Sequence, residues 1–350
     1  MLRLVEGNIL EADVEALVNT VNTVGIMGKG IALQFRKAFP EMFDAYKTAC
    51  DEGLVEPGKM HFFDRGVIFN PRYILNFPTK RHWRGKSRLE DIEAGLKALI
   101  AEIQQRKIRS VAIPPLGCGH GGLDWRQVRP MIEAAVSQLT DVEVLLYPPA
   151  GDPDPDKMVN RTPRPEMTPS RASVLRVLSE YGVLGYELSL LEVQKLLYFL
   201  QVVGEPLRLR FEQGTYGPYA DNLRHVMSLF EGHFIQGFGA GDNRPRTPIR
   251  LIPEAVLEAT RICEANVTPE HRERVQKVFR LIEGFESPYG MELLSSVHWV
   301  ATRGMADRND VDSVVVAVHG WTPRKRSVMK PPHISLAWKR LRALGWLSNS

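Results

Sequence analysis

Two glycine-rich loops and one lysine carry the chemistry available to this sequence. The first loop reads Asn19-Thr20-Val21-Asn22-Thr23-Val24-Gly25-Ile26-Met27-Gly28-Lys29-Gly30-Ile31-Ala32, and the second reads Pro115-Leu116-Gly117-Cys118-Gly119-His120-Gly121-Gly122-Leu123-Asp124. Each follows a β-like run and precedes a helical pattern, where an α/β sheet presents backbone N–H groups to anions. Glycines let the chain approach a diphosphate closely and supply the positive φ of an amide nest. The lysine is Lys80, in a loop that also holds Arg81, His82, Trp83, Arg84, Lys86 and Arg88. Ser87 and Glu90 have capping-box spacing, so the basic residues should lie just ahead of a helix start, where phosphates bind well. Trp83 among arginines suits stacking on the bases of a single strand. Arg81, His82, Trp83, Arg84 and Lys86 are therefore candidate DNA contacts, with a solvated charged loop as the plain alternative.

Other phosphate motifs fit less well. A Walker A loop needs glycine at position 23 and serine or threonine at position 30, where this chain has Thr23 and Gly30. Gly117, Gly119 and Gly122 match G-x-G-x-x-G, but they follow Pro114-Pro115 in the last βα turn rather than the first, which argues against a nicotinamide cofactor. There is no H-E-x-x-H, no C-x-x-C and no deaminase signature, so neither metal nor cofactor is expected.

Alternating elements must hold these loops. Strands are expected over 2–5, 16–21, 60–63, 73–77, 111–114 and 142–147, and helices over 31–39, 87–105 and 125–139. Such alternation implies a mixed sheet between two helical layers. Seven of the 23 residues from Pro148 to Ser170 are proline, which suits an extended linker. The chain should thus divide into 1–150, a proline-rich linker over 151–167, and a mainly helical region over 168–350. In the last region, helices are expected around Leu190–Leu200, Arg274–Ile282 and His333–Leu344, while Val314–Val318 fits strand or helix.

The 350 residues carry a net charge of +4, too little to imply nucleic acid alone. No apolar run is long enough for a membrane span, and three scattered cysteines fit a reducing cytoplasm.

Residues 1–147 resemble a macrodomain, the ADP-ribose-binding α/β/α module. The resemblance rests on Glu6-Gly7-Asn8-Ile9-Leu10, Val14–Val18, Val18-Asn19-Thr20-Val21-Asn22 and the two glycine loops. It implies an ADP-ribose site formed by Asn8, Ile9, Asn19, Gly28, Lys29, Gly30, Ile31, Thr79, Gly117, Cys118, Gly119, His120, Gly121, Gly122 and Leu123. Asn8 stands where the family usually has the aspartate that holds the adenine amino group. Asn22 would sit by the distal ribose, Gly28–Ala32 would close over it, and Gly117–Gly122 would hold the diphosphate.

Phe77-Pro78-Thr79-Lys80, Met27–Ala32, Pro57-Gly58-Lys59 and Leu116-Gly117-Cys118-Gly119 look like one branch of that family. This branch includes the animal glutamate-linked ADP-ribose glycohydrolase and the DarG-type antitoxins, which remove ADP-ribose from thymine in single-stranded DNA and carry a second domain. Breaking a glycosidic bond usually takes two carboxylates. A lysine can instead attack the anomeric carbon or its open-chain aldehyde. The resemblance thus points to Lys80 as nucleophile, Asn22 positioning the ribose and His120 moving protons. Burial and repulsion from Arg81, Arg84 and Lys86 should lower the Lys80 pKa. Asp124 is expected to be a helix N-cap. An ADP-ribose reader without turnover, or a hydrolase of protein carboxylate-linked ADP-ribose, also fits these loops.

Val193–Phe199 followed by Phe211–Ala220 resembles the Panacea (SocA-like) antitoxin family. With the two-part architecture, this implies that the second region binds a DarT-type toxin, a DNA ADP-ribosyltransferase. Lys195 and Tyr198 are expected on a different helix face from the Leu and Phe residues, and Tyr216 and Tyr219 at an exposed turn.

Overall fold

The computed structural model describes residues 1–150, 158–183, 188–239, 245–266 and 268–347. Part of the proline-rich stretch, 151–157, lies outside the described residues. The chain divides into two compact units, one built on Met1–Pro163 and the other beginning at Arg164.

The first unit is a six-stranded sheet between helical layers. Its strands are β1 (Leu2–Leu4), β2 (Ala16–Val21), β3 (His61–Asp64), β4 (Tyr73–Pro78), β5 (Ser110–Ile113) and β6 (Glu143–Leu146), in spatial order β1-β6-β5-β2-β4-β3. Only the β3–β4 pairing is antiparallel. The central strands are buried on both faces, as parallel strands under helices must be. On β2, Ala16 and Val18 pack with α3 (Leu89–Gln105) and α4 (Trp125–Val136). Leu17 and Val21 pack on the opposite side with α1 (Gly30–Ala38) and α2 (Pro40–Asp51). The α3 stripe of Ile92, Leu96, Leu99, Ile100 and Ile103 is buried as its spacing requires.

Two local features differ from expectation. Pro40–Asp51 forms a helix that was not anticipated, with Pro40 at its first position, where a missing N–H costs nothing, and with Met42, Tyr46 and Ala49 buried. The capping box does not form. The α3 N-cap is Arg88 without a side-chain cap, and the Ser87 hydroxyl is buried with no hydrogen-bond partner. The Ser87 N–H is drawn to the Gly121 carbonyl at 3.0 Å instead, which displaces it from the cap position. Asp124 does cap α4, accepting from the Arg126 N–H at 2.9 Å.

The second unit is mainly helical. Leu190–Val202 and Pro288–Thr302 are buried through most of their length, and Val314–Val318 lies within the helix Val311–Trp321. Lys195 is not on a separate polar face. It is fully buried, and its Nζ donates to the Pro218 carbonyl at 2.6 Å. Burial, then repulsion from Lys325, pushes its pKa down to about 7. Tyr198 is also buried, its hydroxyl 2.7 Å from His298 Nδ1. The strands Phe211–Gly214 and Gly217–Ala220 form a hairpin that leaves Tyr216 and Tyr219 exposed. Among the described residues no helix is long and apolar enough to cross a membrane.

The seating of α3 on β4 matters most for the site, because β4 leads directly to Lys80. A Cβ at Gly95 would fall 2.2 Å from Phe77 Cζ, inside a buried ring. Gly95→Ala gains up to about 1 kcal/mol in helix propensity and loses about 1–3 kcal/mol to overpacking. The expected net result is a lower melting temperature in a thermal melt.

Candidate active site

The site lies at the carboxyl ends of β2, β4 and β5, where open α/β sheets place ligands. β2 stays paired with β4 through six residues, up to Val21↔Pro78, but pairs with β5 only at Ala16 and Leu17. Beyond Leu17 the β2 and β5 ends are free of each other, and the two glycine loops leave from these ends.

The first loop is folded by Asn22. Its Oδ1 accepts from the Val24 N–H at 3.0 Å and the Ile26 N–H at 3.4 Å, and its Nδ2 donates to the Ile26 carbonyl. The Tyr46 hydroxyl donates to the Asn22 carbonyl at 2.7 Å. Burial pushes the Tyr46 pKa strongly upward, so the phenol remains a donor. Asn22, expected beside the ribose, thus has its amide engaged in shaping the loop.

The second loop depends on glycine at two positions. Gly117 has φ +71, and a Cβ at Gly121 would fall 2.1 Å from the Gly117 carbonyl oxygen. The loop is closed by Gly122 N–H to Gly119 O at 3.0 Å and Leu123 N–H to Gly117 O at 3.1 Å. Cys118 lies within it. Burial, then the Asp124 charge, pushes its thiol up to about 11, which keeps it protonated at neutral pH. The two loops meet where Gly30 backs onto His120, whose Cδ2 lies 3.3 Å from the position of a Cβ at residue 30.

Lys80 bridges these parts. The N–H of Thr79 donates to the Val21 carbonyl at 2.9 Å, and Lys80 Nζ donates to the His120 main-chain carbonyl. Burial lowers the Lys80 pKa. The expected like-charge contribution is not seen, and two of the three cations expected to supply it are engaged elsewhere. Arg81 forms a bidentate pair with Asp91 at 2.5 and 3.0 Å, and the Arg84 guanidinium lies over the Trp83 ring at 4.4 Å. Neither glycine loop brings a second carboxylate, since Asp124 is held by Arg126.

The remaining expected residues separate by position. His82 packs against Trp83 with centroids 5.5 Å apart, Trp83 is 41% exposed, and Lys86 is exposed beside them. Gly28, Lys29 and Gly119 are exposed, Ile31 is half-buried, and Ile9 and Thr79 are buried. Asn8 Oδ1, expected at adenine, accepts from the Leu10 N–H at 3.1 Å and caps a short turn. Asn19 does not reach the site surface. It is fully buried on the α1–α2 side of β2, where its Nδ2 donates to Asn76 Oδ1 at 2.8 Å. Thr23, Tyr46 and Asp91 were not anticipated, because their roles depend on contacts distant in sequence. Among the described residues, no three His, Cys, Asp or Glu side chains converge to hold a metal ion.

A Macro domain family model matches residues 18–132. A DNA ADP-ribosyl glycohydrolase of Thermus aquaticus is 46% identical over 347 residues, covering 99% of this chain and 94% of the relative. This chain belongs to the DNA ADP-ribosyl glycohydrolase family. A glycohydrolase of that description from Mycobacterium tuberculosis is 42% identical, covering 97% of this chain and 99% of its own. A DNA ADP-ribosyl transferase–glycohydrolase fusion protein of Thermosipho africanus is 34% identical over 170 residues, or 44% of each chain. The first unit of this glycohydrolase is the macrodomain, and the site described above belongs to an enzyme.

Removing the Asn22 amide should release the loop it folds. For Asn22→Ala, hydrogen exchange at Val24 and Ile26 is expected to accelerate, and ADP-ribose Kd to rise about tenfold, the scale of one buried hydrogen-bond network. Isothermal titration with free ADP-ribose checks the second effect.

Proposed function

We propose that this glycohydrolase removes ADP-ribose from thymine bases of single-stranded DNA, with Lys80 as nucleophile, and that its second unit binds and neutralises a DarT-type DNA ADP-ribosyl transferase toxin. The observation that carries the first part is the half-buried amine of Lys80, set at the junction of the two glycine loops with a lowered pKa. As a neutral amine, Lys80 attacks the anomeric carbon of the distal ribose while the bond from that carbon to the base breaks. His120, at the tip of the second loop, supplies the proton that the departing base nitrogen takes up. Water then displaces the lysine from the sugar and leaves free ADP-ribose and the original amine. The second loop holds the diphosphate on its amides. Trp83, exposed in the basic loop with the Arg84 guanidinium over its ring, offers a surface for a neighbouring base. The transferase–glycohydrolase fusion in Thermosipho africanus supports pairing with a transferase.

The deciding experiment is release of ADP-ribose from a thymine-modified single-stranded oligonucleotide. Lys80→Ala is expected to lower kcat by about a thousandfold or more while leaving ADP-ribose Kd within about threefold. Because the amine must be unprotonated to attack, kcat/KM for the wild type should rise with pH. The rise should level off below the ordinary lysine value of about 10.4. Tight ADP-ribose binding with no release would point to a reader, and release only from carboxylate-modified protein to a protein-directed hydrolase.

Toxin neutralisation should not require the amine. Full-length Lys80→Ala protein is expected to inhibit the purified toxin's DNA modification at a one-to-one ratio. Undiminished transferase activity with excess protein would remove the second unit from this role.

A further inference from the structure

The loop that carries Lys80 is fastened on both sides of Arg81. The β2–β4 ladder ends at Val21↔Pro78, and the Thr79 N–H to Val21 carbonyl bond, at 2.9 Å, is its last main-chain link. Two residues later the connection resumes through a side chain, where Thr23 Oγ1 donates to the Arg81 carbonyl at 2.7 Å. From the other direction, Asp91 in the first turn of α3 grips the Arg81 guanidinium through both carboxylate oxygens. Asp91 is buried, whereas the Arg81 side chain is 55% exposed, so the helix supplies the fixed end of this clamp. Lys80 thus sits between Thr79, held by β2, and Arg81, held by Thr23 and Asp91.

We infer that Thr23 and Asp91 are positioning residues for the glycohydrolase reaction, acting through Arg81 to fix Lys80 against the ribose-binding loop. Thr23 directly follows Asn22, the residue that shapes that loop, so one hydrogen bond sets the ribose loop and the nucleophile in register. Arg81 then serves as a structural post rather than a DNA contact, contrary to what its place in a basic loop suggests. The inference rests on the proposed role of Lys80.

The test compares Thr23→Val, Thr23→Ser, Asp91→Asn and Lys80→Ala in the full-length protein on the ADP-ribosylated oligonucleotide. Thr23→Val keeps the shape but loses the donor. It is expected to lower kcat about ten- to a hundredfold, the scale set by a misplaced reacting group, with KM changed less than about twofold. Thr23→Ser keeps the donor and should recover most of the wild-type kcat. Asp91→Asn should also lower kcat. If Arg81 instead bound DNA, freeing it from Asp91 would lower KM and steepen the salt dependence. A wild-type kcat for Thr23→Val beside an inactive Lys80→Ala would overturn the clamp and leave the nucleophile in place. An active Lys80→Ala would overturn both. A Thr23→Ser enzyme as slow as Thr23→Val would show that the hydroxyl is not the working group, and would also overturn the clamp.

Discussion

The unequal pairing of β2 with its two neighbours organises the first unit. Against β4 it is paired over six residues, and against β5 over two. The long pairing makes β2 and β4 one rigid ribbon, reinforced inside by the Asn19–Asn76 bond and outside by Thr79 and Thr23. The short pairing separates the ends of β2 and β5, from which the two glycine loops leave. Had β2 stayed paired with β5 to its end, the two glycine loops would face each other across a closed ladder. Lys80 therefore rides on the rigid side of the cleft, and the second glycine loop lies on the other.

Charge at the site is managed by pairing and burial together. Four further cations follow Lys80 as far as Arg88, yet burial and not their repulsion lowers the pKa of its amine. Arg81 is neutralised by Asp91, Arg84 lies over Trp83, and what remains at Lys80 is the loss of water around its ammonium. Desolvation is less sensitive to salt than repulsion between exposed charges would be. The amine is thereby insulated from the ionic surroundings of a polyanionic substrate.

Most of the first unit was legible in the sequence because its signals are local. Strand alternation, the α3 stripe, the glycine loops and the Asp124 cap each need only a few neighbouring residues. What failed depended on distant partners. Ser87 and Glu90 carry a capping box by spacing, but the Gly121 carbonyl, 34 residues on from Ser87, captures the Ser87 N–H. The pairing of Arg81 with Asp91, ten residues on, is likewise not visible in the basic loop itself. Asn19 looks like part of the ligand loop, but strand parity turns it into the interior. In the second unit, Lys195 reads as a surface lysine from helical spacing, and only the hairpin carbonyl at Pro218 explains its burial.

The hydrogen bond from Lys80 to the His120 carbonyl has a chemical consequence of its own. An amine with a lowered pKa is open to Schiff-base formation with any free reducing sugar, a slow adduction that would silence it. Here the amine is tied to the main chain of the loop that covers it, at a point where that loop already meets Gly30. The contact that holds the Lys80 amine at rest thus also gives it a main-chain partner with which a passing carbonyl compound must compete.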